Sequence, residues 1–263
     1  MRVSYVELFN LTKKVFSAYG IPHGCAEDGA DVVTWSEFIG LDGMQTLLEE
    51  MRELQPSGMD GIKLIEKEEN FYLFDGNEQS ALVLGKLMAD YALGAAEVDE
   101  TLRIYTKNTT RSRLLAQPAS YLASRGLGCI INYKTESGIL RWILATPEIE
   151  FPVFAEGERA EEIMQEILSK EIKNYRLKPT NSDAFWLTCT TKTALITTSI
   201  RKLRKSAQSK NLTMTESATL KASFEKAFNN GANVDRELWH ALTEIGNKTL
   251  VKSTEESRRR GAG

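Results

Sequence analysis

The chain has 263 residues, 42% hydrophobic and 26% charged, which allows one or two domains with a full core and excludes disorder as the main state. Its 33 basic and 36 acidic residues give a net charge of −3; that lacks the positive field of a general nucleic-acid or anionic-membrane binder, so neither partner is expected. Three widely spaced cysteines, Cys25, Cys129 and Cys189, imply no disulfide framework and fit a thiol-reducing compartment, with a cytoplasmic location as the expectation.

Ser4-Tyr5-Val6-Glu7 has capping-box spacing, and Leu8, Leu11 and Val15 after it mark a helical apolar face. Gly20-Ile21-Pro22 stops that helix. A second is predicted over 26–39 with Val32, Trp35 and Phe38 on one side, and a third over 44–54, ending before Pro56. Strands are expected at 61–65, 70–74, 102–105 and 128–132, with helices at 81–96 and 114–124 between them. This βαβ rhythm places the strands in one sheet. Beyond Phe151 the pattern weakens: helix 161–170, strand 185–190, a basic helix 196–210, a helix capped by Thr213-Met214-Thr215-Glu216, and a last helix capped by Asp235. The expected organisation is a helical cluster over 1–60 packed with helices from 212–250, an α/β domain over 61–211, and a mobile tail over 251–263.

No apolar run reaches the length of a membrane span, and Met1 to Tyr5 leads into no apolar segment, so neither a span nor a signal peptide is expected. G-x-S-x-G, Walker and G-x-G-x-x-G motifs do not occur. The two histidines, His23 and His240, stand apart from other metal-ligand residues, so no metal site is expected. His240, beside Trp239, reads as structural and His23 as exposed.

Several segments resemble the malate/L-lactate dehydrogenase family, which also holds sulfolactate dehydrogenases and ketimine reductases. They are Val3-Ser4-Tyr5, Tyr19-Gly20-Ile21-Pro22, the break at Gly40-Leu41-Asp42, the Asp75-Gly76 turn, Lys107 to Gly128 and Val234 to Trp239. The resemblance implies a non-Rossmann α/β fold with an N-terminal helical cluster, NAD or NADP as cofactor, and a homodimer with the cleft between subunits. It also implies where the chemistry is altered. The family's Ser-His pair falls on Gly43 and Met44, its carboxylate-binding arginine on Leu48, its second histidine on Arg111, and its Gly-Thr-Asn-Pro cofactor segment has no counterpart after Asn132. A thioether cannot act as a general acid. NAD(P) binding is therefore expected to be weak or absent, and the shortened chain looks cut off at Gly261-Ala262-Gly263.

The remaining cleft candidates are Asp42, Met44, Thr110 and Arg111, converging on one concavity suited to a small carboxylate or phosphate. Each has a plainer reading: Asp42 as an N-cap, Arg111 and Arg113 as a solvated helix start, and the Met44/Met51 pair as core. Arg201, Lys202, Arg204, Lys205 and Lys210 read as a solvated face rather than a nucleic-acid surface, since no aromatics are interleaved, and Arg258 to Arg260 as part of the tail. Cys129 reads as an inert buried thiol, and Cys189 as structural with a nucleophile as the sharper alternative. The function expected is a dehydrogenase-like protein with a degenerate or rebuilt site; the alternative is a non-catalytic metabolite- or partner-binding protein on the same fold.

Overall fold

The structure, a computed structural model, describes residues 1–53, 61–96, 101–110, 114–172, 182–208 and 211–249. Arg111, Arg113, Lys210 and the 251–263 tail lie outside the described residues.

A short strand β1 (Arg2–Val3) leads into α1 (Tyr5–Ala18), α2 (His23–Phe38) and α3 (Gly43–Glu53). The capping box of α1 is formed: the Glu7 N–H donates to Ser4 Oγ at 3.3 Å and the Ser4 N–H donates to Glu7 Oε2 at 2.8 Å. Leu8, Leu11, Val15 and Phe16 are buried, as the helical period requires. α2 starts three residues earlier than its apolar pattern begins, because Pro22 supplies a preset φ at its N-cap. α3 buries Met44, Leu47, Leu48 and Met51 against the helical layer; each such side chain contributes about 1.5–3 kcal/mol.

The sheet begins with β2 (Lys63–Glu68) and β3 (Phe71–Gln79), followed by α4 (Ala81–Ala95), β4 (Thr101–Thr109), α5 (Ala116–Ser124) and β5 (Gly128–Lys134). β6 (Leu140–Ala145), β7 (Val153–Glu156), α6 (Glu158–Glu171), β8 (Phe185–Thr190), α7 (Thr193–Lys205) and β9 (Thr213–Thr215) complete it. α8 (Ser217–Asn230), β10 (Ala232–Asn233) and α9 (Arg236–Gly246) return to the helical layer, where β10 pairs with β1 and α9 packs on α1 and α3. The eight strands run in the order β2-β3-β4-β8-β5-β6-β7-β9. β3 and β4 are parallel, joined through α4, whereas β8 lies between β4 and β5, antiparallel to both. This is a mixed sheet, not a doubly wound parallel one. α4 and α5 cover one face and α6 and α7 the other.

Three sequence expectations change. Thr213-Met214-Thr215 does not cap a helix; it pairs as the edge strand β9 with β7, which offers its backbone groups partners, and α8 starts at Ser217. The basic helix runs Thr193–Lys205 rather than 196–210; among its charges Arg204 pairs with Glu216 at 2.7 Å and Lys202 with Glu166 at 3.5 Å. His240 is exposed rather than structural, because α9 turns its Leu242 side inward. His23 is exposed as expected, 3.6 Å from Glu27. β6 and β7 are additions that the sequence reading lacked.

Candidate functional site

The turn Thr135-Glu136-Ser137-Gly138 joins β5 to β6, closed by the Thr135 N–H donating to the Ile139 carbonyl at 2.8 Å and the Gly138 N–H donating to the Thr135 carbonyl at 2.8 Å. That closure fixes the register, so Tyr133 stands opposite Arg141, and Arg141 in turn opposite Glu156 on β7. The three side chains make a cross-strand row. Arg141 donates from Nε to Glu156 Oε2 at 2.9 Å, its Nη2 lies 2.9 Å from the same oxygen as an ion pair, and it is hydrogen-bonded to Tyr133. Burial alone would lower the Arg141 guanidinium, but the Tyr133 phenol and the Glu156 carboxylate outweigh it and raise it above its ordinary value.

This row borders a cavity of about 370 Å³, within the size of small-ligand sites. Lys134, Thr135 and Arg141 line it from the hairpin, and Leu41 and Leu114 enter it from the two loops that the sequence pointed to. Both loops carry a non-glycine residue in the left-handed region, Asp42 at φ 49° beside Leu41, and Leu114 at φ 53°. Each such residue costs about 1–3 kcal/mol and is held only by its surroundings.

Of the four sequence candidates, Asp42 is exposed immediately before α3, where its carbonyl accepts the Thr46 N–H at 3.0 Å. Met44 is fully buried in the helical core, and its N–H donates to Glu37 Oε2 at 3.0 Å. Burial first, and the Asp42 charge after it, push the Glu37 carboxyl above its ordinary value. Thr110, half-buried, belongs to a network with Glu50 and Ser80 and does not line the cavity. Its Oγ1 donates to Glu50 Oε2 at 2.5 Å and accepts the Ala81 N–H at 3.3 Å, while Ser80 Oγ donates to the same Glu50 oxygen at 3.1 Å. Glu50 is 3% exposed at the positive end of α4. Arg111 lies outside the described residues. The structure thus brings the neighbours of Asp42 and Arg111, Leu41 and Leu114, to one cavity, and takes Met44 into the core.

Sequence reading missed Tyr133, Lys134, Arg141, Glu156 and Glu50. The turn residues Ser137-Gly138 before the apolar run Leu140 to Ala145 were the available hairpin signal for the first three. Nothing local marks Glu50, whose partners lie 30 and 60 residues away.

The architecture defines an α/β protein of the malate/lactate/sulfolactate dehydrogenase-like fold. A malate dehydrogenase from Pyrococcus horikoshii OT3 superposes with a TM-score of 0.66 at 16% identity, over 97% of each chain. The sulfolactate dehydrogenase of Methanocaldococcus jannaschii gives 0.64 at 14%, over 94% of this chain and 97% of that one. A delta1-piperideine-2-carboxylate reductase from Pseudomonas syringae pvar. tomato gives 0.62 at 10%, over 93% and 99%. At these identities the likeness establishes the fold alone. Residues 3–80 match the family model described as "Protein of unknown function (DUF3726)". No curated protein matches the sequence. No helix among the described residues is long and apolar enough to cross a membrane.

Proposed function

We propose that this protein binds a small carboxylate in the cavity between the helical layer and the β5–β6 hairpin, on a dehydrogenase-like fold whose proton-transfer site is degenerate or rebuilt. The observation that carries the reading is the cavity itself, which brings Lys134 and Arg141 to a space of about 370 Å³ lined also by Leu41 and Leu114. Lys134 and Arg141, against one carboxylate at Glu136, with hydroxyls and the apolar Leu41, Leu114 and Phe154, suit an anion with a short carbon skeleton. Arg141 stays protonated at any working pH and is aimed by Glu156, so it orients a ligand rather than exchanging a proton with it. The names of the fold neighbours agree in chemistry, since malate, sulfolactate and piperideine-2-carboxylate are all carboxylates.

Position 44 supplies no proton donor: it is a methionine, and its side chain belongs to the helical core. We therefore expect no NAD(P)-linked turnover of malate or lactate, and weak or absent binding of NADH and NADPH. A homodimer and a cytoplasmic location remain part of the same reading.

Isothermal titration with malate, lactate and succinate tests binding. A Kd in the micromolar to millimolar range that weakens at least tenfold in Lys134→Ala supports the site. No heat with any of the three, or binding indifferent to Lys134→Ala, rejects it. Micromolar NADH affinity by fluorescence, or NADH oxidation on adding oxaloacetate or pyruvate, would replace it with an active dehydrogenase.

A further inference from the structure

The middle of the sheet holds a feature independent of the cavity. β5 and β8 are antiparallel neighbours, and their register sets Cys129 opposite Cys189. Both are free thiols at 0% exposure, and the two side chains are in hydrogen-bond contact. Directly opposite residues of an antiparallel ladder have Cα atoms about 4.5 or 5.5 Å apart, depending on the type of pair. A disulfide closes over Cα separations of about 4.4–6.8 Å. Either type of pair meets the Cα condition; opposite Cβ atoms stand about 4.5–5.5 Å apart, against about 3.5–4.5 Å in a disulfide, so closing the bond draws the two strands locally together. Cys25, on α2 in the helical layer, has no such partner in register.

We propose that Cys129 and Cys189 form an oxidative modification site, a latent cross-strand disulfide that the chain closes when a small-molecule disulfide is available as oxidant during folding. One cysteine thiolate attacks the oxidant's S–S bond, forming a mixed disulfide and releasing one small thiol. The second thiolate then attacks the protein sulfur of that mixed disulfide and expels the second small thiol. The protein gives up two electrons and two protons, and the oxidant gains both as two thiols.

The timing follows from burial. Desolvation, and after it the neighbouring thiol, push Cys129 well above its ordinary range, so it offers almost no thiolate in the folded protein, and both sulfurs are shut off from solvent. Exchange therefore belongs to the open chain, before β5 and β8 close. Once the sheet is formed, Leu102 beside Cys189 and Ala145 beside Cys129 keep reductants away as effectively as oxidants. The site records the redox condition under which the chain folded rather than the one it meets later.

The test uses the full chain carrying Cys25→Ser, so that only this pair remains. Reduced, denatured protein is refolded into excess oxidised glutathione, with a parallel sample in reduced glutathione. Both are checked by circular dichroism, then denatured, alkylated without reductant and weighed intact. The expected oxidised product has the native spectrum, is two hydrogens lighter, carries neither alkyl nor glutathionyl groups, and unfolds at a higher urea concentration than the reduced sample. Free thiols, glutathione adducts or intermolecular links in protein with the native spectrum overturn the proposal. So does an oxidised sample that fails to regain the spectrum the reduced one regains. Should neither sample refold from full denaturation, wild-type protein held in oxidised glutathione just below its urea midpoint gives the same readout by peptide mapping.

Discussion

Gly43 opens α3 directly against α2: a Cβ at this position would lie 2.2 Å from the Val33 carbonyl oxygen and 2.9 Å from the Glu37 nitrogen. Both of these are backbone atoms of a helix and cannot swing aside. The absence of a side chain at 43 is therefore what lets the loop 40–42 and the α3 start pack where they do, with the Met44 N–H reaching the Glu37 carboxylate.

Gly43→Ser should thus destabilise the protein rather than repair a site. Overpacking of this kind costs about 1–3 kcal/mol, and the double variant with Met44→His adds a buried imidazole where a fully buried thioether packs now. Urea denaturation of the two variants measures the loss. A midpoint equal to that of the wild type would mean that α3 can shift off α2.

Glu37 gives the stability a definite pH dependence. Its folded-state carboxyl is raised above the ordinary 4.5, burial being the larger cause. A raised group contributes stability fully below its unfolded value and loses it as pH rises through the folded one. The stability of the wild type relative to Glu37→Gln should therefore fall as pH increases from below 4.5 to neutrality. Paired urea curves across that range decide it, and a difference that grows with pH contradicts the assignment.

Arg141→Met should cost on the order of 1–2 kcal/mol by removing the hydrogen bonds to Glu156 and Tyr133. Arg141→Lys should recover part of this stability but not the two-point contact with Glu156, because an ammonium has no planar fork. A double-mutant cycle with Glu156→Gln, read by urea denaturation, should show coupling. Strict additivity would mean that the row is a set of independent surface contacts.

Tyr5 ties the start of α1 to α2 through its hydroxyl, which donates to Asp31 Oδ1 at 2.8 Å. Burial first, and Asp31 after it, push the phenol far above its ordinary 10. Tyr5→Phe should cost about 1–2 kcal/mol at neutral pH. The wild type should lose its advantage as pH rises above 10, where an unfolded tyrosine ionises and the folded one does not. Thermal unfolding of both proteins from pH 7 to 11 checks this, and a gap that widens with alkalinity would count against it.

The sequence by itself determined the elements whose signals are local. The Ser4/Glu7 box, the apolar period of α1, the β3–α4–β4 alternation and the Asp235 cap appear in the structure because each depends on residues three or four apart or on a single strand's length. It also determined what the residue at 44 cannot do, since a thioether has no proton to donate. Tertiary structure alone decided the rest. The insertion of β8 between β4 and β5 puts Cys189 beside Cys129, a pairing across 60 residues that no local periodicity encodes. Tyr133, Arg141 and Glu156 become a row only through the register of three strands, because a one-residue slip would turn Arg141 to the opposite face of the sheet. Glu50 likewise acquires its hydroxyl partners from Ser80 and Thr110 only when the helical layer docks on the C-terminal ends of β3 and β4. Strand order and docking depend on which distant apolar faces cover one another, and a single chain's pattern of residues specifies those faces without stating their partners.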